Sequence, residues 1–403
     1  MRYVDNERSS SVEESIDILN RLINRLGFSC VMREVESIKV GDGCINLTEV
    51  SIFKNKKCIA RGFGKGIGIQ SQASAVYEAF EHGVYYNEIE GLDDDCTQDP
   101  DLEGLLFRKD RICRYIARKN KGIKYIKFYE INNRYEINYS SSIDYPAFLV
   151  SNSSVYDRIK IKNAHLLPYS STSGVASGAC IKDALMHAIH EVIERDAESE
   201  FLLNLERDSN NFLNVSVSEN YNLGSYVIKN QINIYLLKSI SGYVFCCHYN
   251  DENINTFSYG SSFDKNIALE RAVTEIQQMI YSSRHGFVWE DEGGLPIDRL
   301  KKYTHMYNIA RSDYILQSED CVDFESIKSA SSNSIDLLNA AGYKAFARIL
   351  YHDRTSGVSV VQVVIPGCEK LGNLVYGVAM LPSGRLATPE NDAFLLAGGE
   401  IDV

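Results

Sequence analysis

The stretch FGKGIGIQSQASAVYEAFE, residues 63–81, decides how the rest of this chain is read. KKCIARGFG (56–64) reads as a strand that runs into the glycines at 64, 66 and 68, and the residues after them become a helix carrying Glu78 and Glu81. The glycine turn supports two uses. It is a tight strand-to-helix connection, or its backbone N–H groups and Lys65 face an anion at the helix start. It is not a Walker loop, because Lys65 is followed by Gly66 and not by Ser or Thr. The glycines run GxGxGxG, which does not fit the dinucleotide fingerprint. A phosphate and two carboxylates repel each other, so placing them in one site requires something that attracts both.

Two later stretches repeat the helix. Ser71, Ala75, Glu78 and Glu81 correspond to Ala184, Ala188, Glu191 and Glu194, and again to Ala268, Ala272, Glu275 and Gln278. Small residue, small residue, acid, and acid or amide fall along one stripe of each helix. The small residues permit close approach, and the acids project toward one place if the helices meet. One such helix alone reads as a solvated face. Three of them, with Val76, Phe80, Val192, Ile193, Val273 and Ile276 beside the acids, do not fit a fully exposed surface. Clustered carboxylates in a poorly hydrated site need a counter-charge. Oxygen ligands suit Mg²⁺, and Mg²⁺ brings substrate phosphates with it. Divalent ions thus reconcile the phosphate with the acids.

Periodicity predicts further helices over 12–27, closed by Gly27, over 182–202, over 265–283 and over 324–341. Strands are expected at CINLTEVSIF (44–53), IKYIKFYEI (123–131), AFLVSNSSVYDRIKI (147–161), YKAFARILYHD (343–353) and VSVVQVVIPG (358–367), with a hairpin over INIYLLKSISGYVFCCHY (232–249). The expected fold class is a mixed α/β, α+β-like arrangement: mixed β-sheets with hairpins, and packed helices bearing the glutamates.

The chain has 403 residues, 44% of them hydrophobic, which is ample for a large core. A net charge of -12 leaves no general basic footprint for nucleic acid. The N-terminus has no apolar signal core, and no apolar run approaches the ~18 residues of a membrane span. Ten scattered cysteines without a CxxC pair argue against a zinc module or a disulfide framework. A soluble, reduced, cytoplasmic protein is expected, with no nucleic acid and no membrane partner.

GKGIGIQSQASAVYEAFE (64–81) and TSGVASGACIKDALMHAIHEVIERDAESEF (172–201) resemble the two signature blocks of YcaO-domain proteins, and ALERAVTEIQQ (268–278) and VVQVVIPGCEKL (360–371) resemble two later blocks. The resemblance implies a single YcaO-type catalytic domain over 1–403, with nucleotide motifs near 62–86, 171–201 and 260–284. It implies ATP and Mg²⁺ in a glutamate-lined site, used to phosphorylate the oxygen of a peptide backbone amide. Attack by a neighbouring Cys, Ser or Thr then gives an azoline, an external sulfur source gives a thioamide, and an amine gives an amidine ring. Carried over by position, Ser74, Glu78 and Glu81 match the first motif, and Glu191, Glu194 and Arg195 the second, where they are the catalytic candidates. Glu78, Glu81, Asp183, His187, Glu191 and Glu194 are the implied metal positions. Arg8, Ser15, Lys65, Ser74, Glu78, Glu81, Arg195, Glu275, Gln278 and Arg284 are the implied nucleotide contacts. His187 stands where the family often has Gln, and Ala179 where it often has Asn. Azoline-forming members often finish in a P-x-P-x-P tail, whereas this sequence ends LLAGGEIDV, which tilts the expectation toward a thioamide-forming or stand-alone member. The implied substrate is a ribosomally made precursor peptide, with leader recognition by an E1-like or TfuA-like partner protein, or none. A homodimer is compatible with all of this.

Two rivals belong to other classes. A zinc or iron hydrolase could be built on HAIHEVIE, but the spacing is not HExxH, and His190 points off the 187–191 face. A non-catalytic scaffold could keep the nucleotide site and serve a partner. ATP turnover with and without peptide distinguishes that from an enzyme.

Overall fold

The computed structural model describes residues 8–92, 96–97, 108–119, 123–150, 164–207, 212–286, 297–311, 321–329 and 333–397. Three sheets form, each with one of the glutamate helices packed on it. The first is an antiparallel meander of β1 (Ser29–Val40), β2 (Gly43–Lys54) and β3 (Lys57–Ile67). The second has the order β4 (Cys96–Thr97), β5 (Tyr125–Ile131), β13 (Phe346–His352), β14 (Ser359–Val364) and β7 (Val175–Gly178), with β6 (Ile137–Pro146) paired to β5. The third has the order β11 (Asn255–Ser262), β10 (Tyr243–Asn250), β9 (Asn233–Leu237), β8 (Phe212–Ser216) and β12 (Cys321–Asp323). β8 and β12 make the one parallel pair among the described strands. The class is the mixed α/β one expected from the sequence, and the hairpin falls at β9–β10.

Helix α1 (Val12–Arg25) begins at Ser11, whose side chain accepts from the Glu14 N–H, with Glu13 and Glu14 in the first turn and Arg25 in the last. Of its buried stripe of Ile16, Leu19, Leu22 and Ile23, the last three close one core with the first sheet. Helix α2 (Gln70–Tyr85) lies on β3 and β2. Helix α3 (Ile181–Glu206) is apolar on several sides and is buried between the second and third sheets, which is why it lacks a clean amphipathic stripe. Helix α4 (Lys265–His285) lies on β11 and β10, and starts at Asp264, which accepts from the N–H groups of Asn266 and Ile267.

The small residues of the three helices close against glycines of the strand that precedes each helix, not against another helix. A Cβ on Gly64 would stand 2.1 Å from Ser71 O and 2.2 Å from Ala75 N. A Cβ on Gly260 in β11 would stand 2.3 Å from both Ala268 O and Ala272 N, and one on Gly178 in β7 2.5 Å from Ala184 N. Backbone therefore touches backbone in all three strand–helix units, and side chains on the far side of each helix are set at a fixed distance from its strand.

Two local expectations change, and several strands go unanticipated. Ala147–Leu149 is a 3-10 turn, not the start of a strand, and 151–161 lies outside the described residues. The helix expected over 324–341 is two pieces, Phe324–Ser326 and Ser334–Ala340, with 330–332 outside the described residues. β1, β4, β6, β7, β8, β11 and β12 are not anticipated. β1 is a sheet edge whose half-exposed residues dilute its alternation.

Candidate active site

The three helices bring their acids to one cavity of about 2480 Å³. It is lined by Glu78 and Glu81 of α2, Glu191 and Glu194 of α3, Glu275 and Gln278 of α4, and Lys65 of β3. Arg8, Ser15, Ser74, Asp183, His187 and Arg195 line it as well. The volume exceeds the ~300–1,000 Å³ that suffices for one small ligand.

Several of these groups are held in place by their surroundings. Lys65 Nζ lies 3.3 Å from Glu275 Oε2 across the gap between β3 and α4. Glu81 Oε2 accepts from the Ser177 N–H at 2.9 Å, which ties α2 to β7. The Phe63 N–H opposes the rise of the Glu78 pKa and the Gly174 N–H that of Glu191. Arg195 Nη1 donates to Glu198 Oε2 at 3.0 Å.

Electrostatics follow from burial without enough positive charge. Burial, then Glu275, lifts Glu194 to about 8 against the pull of Arg195. Burial lifts Glu191 to about 7, with Arg195 and the Gly174 N–H opposing. Glu81 is pushed well up by burial, then by Glu191 and Glu78. Glu78 is raised by burial against His82 and Lys65. Burial disfavours the charge of Lys65, but Glu275, Glu78 and Glu194 outweigh it and raise its pKa. His187 is exposed to the cavity, and crowding by the cavity walls, then Arg271, Arg8 and Lys65, lowers its pKa.

Three expected contacts are altered. Asp183, expected as a metal ligand, spends its carboxylate on Ser9, accepting from its N–H at 3.1 Å and its Oγ at 2.7 Å. Ser15 Oγ is turned back to Ser11 O at 2.8 Å within its own helix. Arg284 does not line the cavity. It is exposed at the far end of α4, with Nη2 3.4 Å from Tyr249 OH. Conversely, Arg271 and Glu198 line the cavity and are not among the residues that the sequence motifs indicate. A signal for them exists: Arg271 is four before Glu275, and Glu198 four after Glu194, on the same stripes. His190 lies between Ser261 Oγ at 3.5 Å and Ser334 Oγ at 3.4 Å, and it is buried. It is a packed core histidine, and the hydrolase reading loses its second ligand.

The residues fit a metal–nucleotide complex. The acid set is short of positive charge, and Gln278 Oε1 is buried with no hydrogen-bond partner among the described residues. Arg8, Lys65 and Arg271 offer cations to phosphate. No three His, Cys, Asp or Glu side chains are gathered into a ready-made ion cage among the described residues. That agrees with Mg²⁺, which takes one or two carboxylates and completes its shell with phosphate and water.

Strand–helix units that aim carboxylates and cations at one cavity define a protein that binds a nucleotide through divalent metal. Residues 63–369 match the family model described as "YcaO cyclodehydratase, ATP-ad Mg2+-binding", and the chain belongs to the YcaO family. Its cofactors are accordingly ATP and Mg²⁺. Among solved structures it is similar to YcaO from Methanopyrus kandleri bound with AMPPCP and Mg²⁺, at 17% identity and a TM-score of 0.61, over 93% of this chain and 95% of that one. A heterocyclase in complex with substrate and cofactor matches at 14% identity and a TM-score of 0.60, over 91% of this chain and 53% of that one. The E. coli microcin synthetase McbBCD complex with pro-MccB17 bound matches at 16% identity and a TM-score of 0.56, over 84% and 88%. These likenesses are of fold. An uncharacterized protein of Methanothermobacter thermautotrophicus is 28% identical over 218 residues, which is 50% of this chain and 56% of that protein. No helix among the described residues is long and apolar enough to cross a membrane.

Proposed function

We propose that this chain uses ATP and Mg²⁺ to phosphorylate the oxygen of a peptide backbone amide. A nucleophile then replaces that oxygen, giving an azoline from a neighbouring Cys, Ser or Thr, or a thioamide from an external sulfur source. The observation that carries this reading is the convergence of Glu78, Glu81, Glu191, Glu194 and Glu275 with Lys65 on one cavity. When bound, ATP with Mg²⁺ supplies the electrophilic phosphoryl group. Glu78, Glu81, Glu191 and Glu194 hold the metal, with His187 beside them on α3. Arg8, Lys65, Ser74, Arg271 and Gln278 hold the nucleotide. Arg195, oriented by Glu198, and Lys65 neutralise charge that develops as the phosphoryl group moves.

An amide oxygen is a poor nucleophile, so the task is positioning and charge neutralisation rather than covalent attack by a side chain. The lining residues suit that division of work. The substrate is a ribosomally made precursor peptide. A partner protein supplies leader recognition, and the reaction belongs in the cytoplasm, where newly made peptide meets ATP. The three motif regions act as one catalytic domain.

The test is incubation with the cognate peptide co-purified from the native host, its partner, ATP, Mg²⁺ and sulfide. Phosphate release coupled to peptide modification is expected. Loss of water from the peptide mass identifies an azoline, and oxygen-to-sulfur exchange a thioamide. Cleavage of ATP to AMP and pyrophosphate with an adenylated peptide would refute the phosphorylation mechanism.

A further inference from the structure

Three buried acids and one arginine do not line the cavity and have no part in the chemistry above: Asp196 and Glu200 of α3, Glu369 and Arg385. Glu369 is the acid of the VVQVVIPGCEKL stretch, 360–371. Its carboxylate is wrapped by backbone from the 383–386 loop. Oε2 accepts from the Ser383 N–H at 2.9 Å, and Oε1 from the Gly384 N–H at 2.8 Å and the Leu386 N–H at 2.7 Å. The same loop carries Arg385, which donates from Nε to Asp196 Oδ2 at 2.9 Å and from Nη2 to Glu200 Oε2 at 2.6 Å. The Glu369 N–H donates to Asp196 Oδ1 at 2.9 Å and closes the ring. A buried ionic network of this kind is often matched in stability by apolar side chains of the same volume. Its distinctive effect is to fix one geometry, and here it fixes where the segment after Glu369 stands on α3.

That segment reaches Arg195 through two neighbours. On a helix of 3.6 residues per turn, Asp196 and Glu200 leave α3 on a different side from Arg195 and Glu198, with Ser199 between the two pairs. Ser199 Oγ donates to Arg195 O at 2.6 Å and accepts from the Leu371 N–H at 2.8 Å. Leu371 is buried in one core with Leu202 and Leu203 of α3. Gly372 then stands against the carboxylate that holds the Arg195 guanidinium. A Cβ on Gly372 would lie 3.1 Å from Glu198 Oε2 and 3.4 Å from its Oε1 and Cδ, with no closer atom elsewhere. Glu198 is therefore backed by the 369–372 segment on one side and bonded to Arg195 Nη1 at 3.0 Å on the other. An arginine side chain has many rotamers, and a charge displaced by about 1 Å loses much of its effect on a reacting group.

We propose that Glu369 and Gly372 are positioning residues for Arg195. Glu369 anchors the 369–372 segment on α3, and that segment backs Glu198, which aims the guanidinium at the phosphates of the nucleotide. The proposal rests on the assignment of Arg195 to the nucleotide and is independent of which amide is activated.

Calorimetry on the full chain with AMPPCP and Mg²⁺ reads the effect, and urea midpoints separate it from loss of fold. Arg195→Ala should weaken binding about tenfold. Gly372→Ala should weaken it about threefold with an unchanged urea midpoint, because its methyl group pushes only the Glu198 carboxylate. Glu369→Gln, which sets an amide against the backbone N–H groups, should weaken it by about as much. The decisive measurement is a double-mutant cycle. In a Glu198→Ala chain the methyl has no carboxylate to push, so adding Gly372→Ala should change affinity by less than about 1.5-fold. A general disturbance of packing would instead give additive effects. Additive effects, or unchanged affinity in Gly372→Ala where Arg195→Ala loses it, would overturn the proposal while leaving Arg195 at the nucleotide. Unchanged affinity in Arg195→Ala would overturn both. If Glu369→Gln fails to fold, the Gly372 cycle decides alone. Absence of peptide-dependent phosphate release would refute amide activation, and the calorimetric cycle would still decide the positioning.

Discussion

Replacing Gly64 by alanine should separate β3 from α2 and cost about 3 kcal/mol, whereas the same change at Gly68 should cost about 1 kcal/mol. The added methyl at 64 would stand 2.1 Å from Ser71 O, 2.2 Å from Ala75 N and 2.8 Å from Ala75 Cα, all of them backbone atoms of a helix that cannot rotate aside. Ordinary contact needs about 3.5 Å, so α2 must retreat by about 1 Å, and a gap of that size forfeits a quarter to a half of the dispersion attraction across it. Val76 and Phe80, both fully buried, face the core through this interface. Losing about a third of the ~2 kcal/mol that each contributes, and adding about 2 kcal/mol of strain, gives the stated total. Gly68 has φ +60°, and a methyl group added there would meet no atom within 4 Å, so only the left-handed backbone penalises alanine at that position. Urea denaturation of both variants measures the difference. Calorimetry with AMPPCP and Mg²⁺ then separates the two uses of the glycine turn. Displacing α2 moves Glu78 and Glu81, so Gly64→Ala should bind nucleotide more weakly than Gly68→Ala. Equal stability of the two variants, or nucleotide binding lost only in Gly68→Ala, would refute the packing argument and restore the anion cradle.

Glu78→Gln and Glu191→Gln should each weaken AMPPCP·Mg²⁺ binding by about tenfold or more, measured by calorimetry, and unchanged affinity in both would remove the shared metal site. Glu194 rises from an ordinary 4.5 to about 8 in the folded state, so it binds its proton more tightly when folded. Its contribution to stability is complete below 4.5 and is lost as pH rises through 8. Metal-free urea midpoints should therefore fall across that window, and Glu194→Gln should flatten the decline; a flat wild-type profile contradicts the crowding of acids. Arg385→Met should cost about 3–5 kcal/mol because it strips the cation from fully buried Asp196, whose Oδ2 lies 2.9 Å from the guanidinium. Asp196→Asn in the same chain should recover part of that loss, and a purely additive double mutant would count against direct pairing.

Much of the machinery was legible because it is local. A helix brings residues three and four apart onto one stripe, so Glu78 with Glu81 and Glu191 with Glu194 declare themselves in any reading of the chain. A hairpin is equally local, and β9–β10 falls where its two β-rich runs are written. β1 was not legible, since a half-exposed edge strand carries little alternation. Arg284 looks like a phosphate contact by its place near Gln278, but at the end of α4 it points away from the cavity toward Tyr249. Asp183 shares a helix with the acids, yet its carboxylate is claimed by Ser9, a residue 174 positions away. By itself the sequence determined which helices carry acids and the family to which the pattern belongs, whereas the packing of each helix on glycines of its own strand came from the structure. Only the tertiary structure decided that Lys65 meets Glu275, that Glu81 ties to Ser177, and that Arg271 and Glu198 join the cavity wall. Periodicity records the direction in which a side chain leaves its own helix, and the meeting of two such directions is set by sheets whose strands are far apart along the chain.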